Sequence, residues 1–313
     1  MRNFNIVGSQ KQEVGRRMSV IRSLSSTPNF RLWIFAYRIV IVLSLGIFIF
    51  TSCTERIDIK LDSTYERLAV AGFITPQEGE QYVRLTRTSD YFSNQPPPAV
   101  SSATVTVETD SSLVQFTEDV DNPGYYRAPE DFVGKSGIAY HLNITLTESI
   151  NGNSNYEALE EMPVLADNID SVVVEYNEDY ERWMIRLYAW EPPTTDFYMF
   201  NGMRNGTMIT DSVSRVNISD DRLFNGNYTS GAVVLVLYKD ELELGDTFTL
   251  ILSNITEEYA KYMSDLQTEI QPNNPTFSGP PANVRTNITN NAVGYFAAFP
   301  SAFTSTTVKP NDF

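Results

Sequence analysis

The sequence predicts an all-β protein made of two β-sandwich domains, with one short helix in its C-terminal half. Three observations carry that prediction. Beyond residue 60, apolar and polar residues alternate, most cleanly where Tyr140, Leu142, Ile144 and Leu146 interleave with His141, Asn143, Thr145 and Thr147. A period of two puts one face of an extended strand in a core and the other in water. Turn-forming residues punctuate the chain roughly every 8–12 residues, the spacing of sandwich strands. A helical period occurs only over 254–270.

In order along the chain, Arg67 to Ile74 and Gln81 to Thr88 flank the turn Thr75-Pro76-Gln77-Glu78-Gly79-Glu80 and read as an antiparallel hairpin. Ala103 to Thr109 and Leu113 to Glu118, joined by Asp110-Ser111-Ser112, read as a second, with Asn122-Pro123-Gly124 turning into Tyr125-Tyr126. Gly137 to Thr147 turns through Asn151-Gly152 into Tyr156 to Met162. These strands define a first sandwich over 60–163. The second domain, 164–313, begins after Pro163 with Ser171 to Tyr176, Arg182 to Trp190, Phe197 to Phe200, Gly231 to Tyr238 and Thr247 to Ile255, all rich in β-branched and aromatic residues. A long polar excursion, Gly202 to Tyr228, holds the turn pairs Asn205-Gly206 and Asn225-Gly226.

The helix is expected from Asn254 to Ile270. Ile255, Tyr259, Tyr262, Met263, Leu266 and Ile270 form its apolar stripe, Asn254 with Glu257 resembles a capping box, and Pro272 stops it. A Pro/Asn/Gly loop to Pro281 follows, then an apolar strand, Val293 to Phe299.

Residues 1–52 are a different object. They carry seven basic side chains and one acid, so the remaining chain holds −22 of a net −16. The apolar run Ile39 to Phe50 has 12 residues, within the roughly 7–15 of a signal-peptide core and short of the roughly 20 that span a bilayer. It ends in Phe50-Thr51-Ser52-Cys53, which resembles a bacterial lipoprotein box, with Phe50 where Leu or Val is usual. The expectation is a cleaved signal over 1–52, with Met1 or Met18 as its start, and a lipidated Cys53 carrying palmitate-type acyl chains on a tether over 53–59. Two or three chains anchor stably where one does not.

Composition narrows the chemistry. A pI near 4.5 and no basic cluster beyond the first forty residues argue against nucleic acid. One Cys and one His exclude a disulfide framework, a Cys-rich zinc site and a multi-histidine metal centre. No nucleophile elbow, P-loop or dinucleotide fingerprint is present. His141 reads as a polar-face strand residue. Asp119-Val120-Asp121 and Ser219-Asp220-Asp221 lack the full calcium-loop pattern and read as solvated turns. No catalytic residue, cofactor or metal is therefore assigned. Paired carboxylates of glycosidase type meet in space rather than in sequence, so a hydrolase stays open.

The order of several segments carries a resemblance: the lipoprotein-box Cys53, RLAVAGFITPQEGEQYVRLTRTSDYF from Arg67, PAVSSATVTVE from Pro98, GKSGIAYHLNITL from Gly134, and NPTFSGPPANVRTNITNNAVGYFAAF from Asn274. Together they resemble domain-of-unknown-function family 4249, lipoproteins of the Bacteroidota envelope, over about 54–303. Asn290-Asn291-Ala292 departs from a usual Gly. The resemblance implies an immunoglobulin-like or transthyretin-like sandwich, a lipid-anchored place in the outer membrane, and service to a TonB-dependent receptor as a non-catalytic binding or assembly module. It transfers no catalytic residue. A surface adhesive or structural lipoprotein is the alternative. Loop and terminal aromatics, Tyr91 and Phe92 beside Pro96-Pro97-Pro98 and Tyr295 and Phe296 near the end, are the expected partner contacts.

Overall fold

The computed structural model describes residues 33–41, 66–79, 81–89, 95–166, 169–270 and 284–310. The chain divides into two compact units, Met1–Lys60 and Leu61–Phe313. In the first, the described residues form one exposed helix, α1 (33–41). Among the described residues no helix is long and apolar enough to cross a membrane. Cys53 lies outside them.

The second unit contains sixteen described strands. They are β1 (Leu68–Ile74), β2 (Tyr82–Arg87), β3 (Thr104–Thr109), β4 (Ser112–Glu118), β5 (Tyr125–Arg127), β6 (Ala139–Ile150), β7 (Asn153–Glu161), β8 (Ile169–Asn177), β9 (Arg182–Ala189), β10 (Phe197–Arg204), β11 (Thr207–Met208), β12 (Asn217–Asp220), β13 (Ala232–Tyr238), β14 (Thr247–Ile255), β15 (Val293–Ala298) and β16 (Ser301–Thr307). Helix α2 (Glu257–Ile270) stands between β14 and β15. The fold is all-β with this one substantial helix.

The first seven strands and β15 make one eight-stranded sheet, ordered β15-β1-β2-β5-β4-β3-β6-β7. All pairs are antiparallel except β15 with β1, where Ala69 sits opposite Val293. Asn151 and Gly152 turn β6 into β7 with φ of 49° and 82°, the left-handed pair a two-residue hairpin requires. The sheet curls until its ends approach. Thr289 N–H donates to the Glu157 carbonyl (2.9 Å) and Glu157 N–H to the Thr289 hydroxyl (2.8 Å), so the segment entering β15 covers the free edge of β7. Inside lie Leu68, Leu85, Val105, Phe116, Tyr126, Leu142 and Ile144, with Ile288 and Phe296 from the late segment. Burial of that apolar surface is the dominant favourable term.

Two smaller sheets form a sandwich. β13-β9-β8 faces β11-β10-β14-β16, to which β12 adds by pairing with β10, and Trp183, Ile185, Leu187, Phe200, Phe248 and Leu250 fill the space between. A third cluster joins the two parts: Met199 and Ile255 of the five-stranded sheet, Ala260 and Met263 of α2, and Tyr295, Ala297 and Phe299.

Two expectations change. The boundary at 163/164 is crossed by β15, which completes the first sheet, before β16 enters the other sheet three residues later; Leu61–Phe313 is accordingly one compact unit. The helix starts at Glu257, because Asn254 and Ile255 are paired in β14 with Tyr198 and Phe197. Thr256 is the cap, its hydroxyl accepting from Tyr259 N–H at 3.3 Å.

Candidate functional site

On β7, Tyr156, Ala158 and Glu160 alternate inward, followed by Met162 just past its end, so an acid occupies a position where the pattern wants an apolar side chain. Glu160 is 6% exposed. Its carboxyl gathers three donors from distant parts of the chain: the Thr256 hydroxyl (2.5 Å), Asn287 Nδ2 (3.1 Å) and the Tyr295 hydroxyl. Asn287 is itself pinned to β15, donating to the Phe296 carbonyl (2.8 Å) and accepting from its N–H (3.1 Å). One carboxyl thus ties β7, the cap of α2 and β15 together. Burial pushes its pKa up, the three hydrogen bonds pull it back, and the charge of Glu258 pushes it up further.

A pocket of about 380 Å³ opens over this group, lined also by Glu161, Glu258, Arg285 and Thr286. Arg285 pairs with Asp265 (2.7 Å) and Glu258 (3.6 Å). Lys261, 2.7 Å from Glu258, and Arg285 hold the Glu258 carboxyl below its usual range. The pocket therefore combines a carboxyl biased toward the neutral acid with one biased toward the anion, beside a guanidinium. Such a set suits recognition of a small polar group carrying both donors and acceptors.

A second acidic group lies beside the start of β10, where Asp221 N–H donates to the Asp196 carbonyl. Asp221 is 3% exposed and neither carboxylate oxygen has a well-formed hydrogen bond. Burial raises its pKa, the charges of Asp196 and Asp220 raise it further, and backbone N–H groups offset this in part. Glu191, also raised by burial, accepts from the Tyr198 hydroxyl at 2.8 Å. Among the described residues no three Asp, Glu, His or Cys side chains are arranged to hold a metal ion.

The profile of a family described as a domain of unknown function, DUF4249, matches residues 54–304. The chain belongs to the DUF4249 family. No curated protein matches it.

The DUF4249 span includes every residue expected to meet a partner. Tyr91 and Phe92 lie outside the described residues. Tyr295 and Phe296 are not presented as expected, because both faces of β15 are covered by packed side chains at these positions. Phe296 (0% exposed) points into the first core, while Tyr295 (5%) packs against Tyr259 (5.1 Å) and Tyr262 (4.9 Å) of α2. Of the two, Tyr295 lines the pocket beside Glu160. His141 is half-exposed on the outer face of β6, 3.6 Å from Glu157. Asp119 accepts from Arg127 (2.8 Å), Asn122 and the Asp121 N–H, which hold it at about 2 and build a turn. Asp220 is engaged by Arg222. Asn290 and Asn291 take φ of 57° and 61°, so the turn that lacks the family's Gly is made by the non-glycine residue best suited to it. Sequence reasoning missed Glu160, although the signal was present as an acid on the apolar face of a clean alternation.

Proposed function

We propose that this DUF4249 protein is a lipid-anchored component of a bacterial outer membrane, whose β-rich unit is a non-catalytic binding or assembly module accessory to a TonB-dependent receptor. The observation that carries the reading is the junction at Cys53, a small-small-Cys sequence after 12 apolar and flanking basic residues. The β-unit that follows, with Glu160 tied to Thr256 and Asn287 across three segments, suits presentation of a surface. Two experiments test it. Metabolic labelling with a tagged palmitate should mark the wild-type protein and leave Cys53→Ser unlabelled. A detergent pull-down from the native envelope should recover a β-barrel receptor; recovery of only the protein itself would favour the adhesive alternative.

A second reading draws on the pocket at Glu160. One carboxyl held toward its acid form beside one held ionised is the division of labour of a carboxylate hydrolase. Turnover of a glycan or peptide panel that Glu160→Gln abolishes, with the variant still folded, would favour it over the binding reading.

A further inference from the structure

The outer face of the β8-β9-β13 sheet carries a second kind of site. Along β9, Arg186, Tyr188 and then Trp190 face outward, and Trp190 bridges back to Tyr228. The rings form a continuous tilted strip: Trp190 and Tyr228 lie 5.2 Å apart at 49°, Tyr228 and Tyr188 6.5 Å apart at 48°. Trp190 is 59% exposed, unusual for the largest apolar side chain on a β-unit that buries Trp183.

The backbone is shaped around this strip. The β8–β9 register slips between Ile169 and Ser171, leaving Asp170 as the extra residue of a bulge, a device that re-aims a side chain. Asp170 is exposed and close enough to the Tyr228 hydroxyl that its carboxylate holds that phenol above its ordinary pKa. Gly231, at φ 81°, passes so close that a Cβ there would lie 2.7 Å from the Tyr188 hydroxyl.

Charge selects the occupant. Aromatic faces carry negative quadrupole potential, Asp170 adds a full negative charge, and the chain beyond residue 52 carries −22. The neighbouring cation, Arg186, is engaged by Glu175 and the Gly231 carbonyl (3.1 Å). Elsewhere on the same sheet the matching chemistry is already satisfied internally, with Arg182 and Arg215 lying 4.6 and 4.9 Å from the Tyr238 ring centre. Among the described residues no such cation covers Trp190 or Tyr228. A guanidinium is the cation that fits, because its plane stacks on rings while its fork meets a carboxylate.

We propose that Trp190, Tyr228, Tyr188 and Asp170 form a docking site for an arginine side chain presented by a partner polypeptide. The site stands independently of lipid anchoring and of the Glu160 pocket. Its test is an NMR titration of the intact protein in detergent, following the tryptophan indole N–H signals, with Trp190 assigned through Trp190→Phe. The probes are the blocked tripeptide Gly-Arg-Gly, its neutral counterpart Gly-Gly-Gly, and maltohexaose. The arginine peptide should shift the Trp190 signal saturably and the Trp183 signal not at all; Asp170→Asn should weaken that binding about tenfold, as expected for a charge-assisted pair, and added salt should weaken it too. No shift with the arginine peptide, an equal shift with Gly-Gly-Gly, or a shift with maltohexaose alone would overturn the proposal, the last pointing to a sugar platform. Unchanged Trp183 signals in both variants report that the sheet remains folded.

Discussion

Gly294 shows how much one missing side chain matters. It lies at φ 94° opposite Val70, and a Cβ there would stand 1.9 Å from the Val70 carbonyl oxygen. Gly245 has the same φ of 94° with nothing within 4 Å of its would-be Cβ. Gly245→Ala should cost about 1 kcal/mol from backbone strain alone. Gly294→Ala should cost on the order of 4 kcal/mol or more, because the β1–β15 pairing must open. Denaturant unfolding of the two variants separates the effects; equal losses would mean that the close approach is relieved elsewhere. Asp221 makes the complementary electrostatic case. Its folded pKa is raised, so its contribution is fully present below the unfolded value and is lost as pH rises through the folded one. Asp221→Asn should therefore leave stability unchanged in acid and raise it from about pH 4 upward, where an unfolded Asp ionises. Melting curves across pH that stay parallel for the two proteins would contradict this.

At the scale of elements, the α2 cap does two jobs. Thr256 accepts from Tyr259 N–H and donates to Glu160. Thr256→Ala should cost about 1–3 kcal/mol, combining a lost cap with a buried acceptor short of a donor, and Thr256→Ser should recover most of it in the same unfolding assay. A Ser variant as unstable as Ala would show that the methyl group, not the hydroxyl, carries the effect. Most strands were legible because alternation and turn residues are local: β6 inverts residue by residue between core and solvent, and Asn151-Gly152 marks its end. β16 was not, since Ser301–Thr307 has no fully buried position and reads as polar linker. The start of α2 was misplaced by three residues because an Asn that resembles a cap is held in β14 by its strand neighbours. Glu160 was visible as a break in pattern, whereas its donors Thr256, Asn287 and Tyr295 were not, their meeting being a product of topology.

For the molecule as a whole, the same topology decides how far the chain can be divided. Period-two patterns identify strands and are silent on which strand pairs with which, so the parallel partnership of β1 and β15 could not be read from them. Its energetic meaning is direct. Ile288, Ala292, Phe296 and Ala298 belong to the first core, and the segment around Thr289 covers the β7 edge. Residues 61–166 expressed alone should therefore lack a cooperative unfolding transition and associate through the exposed edges of β1 and β7. Two-state melting of that fragment as a monomer would show that 60–163 is an independent domain after all.

The late arrival of β15 also orders events in time. Ala69 emerges long before Val293, the residue it must pair with. At a synthesis rate of about 5–20 residues per second, β1 waits on the order of 10–45 s for its neighbour. Until then the first sheet is open along one side, and closing it requires a contact of very high sequence separation, the slowest kind to form. A nascent chain of this design keeps that edge of β1 unpaired for most of its own translation, a docking place for its own last strands or for whatever meets it first.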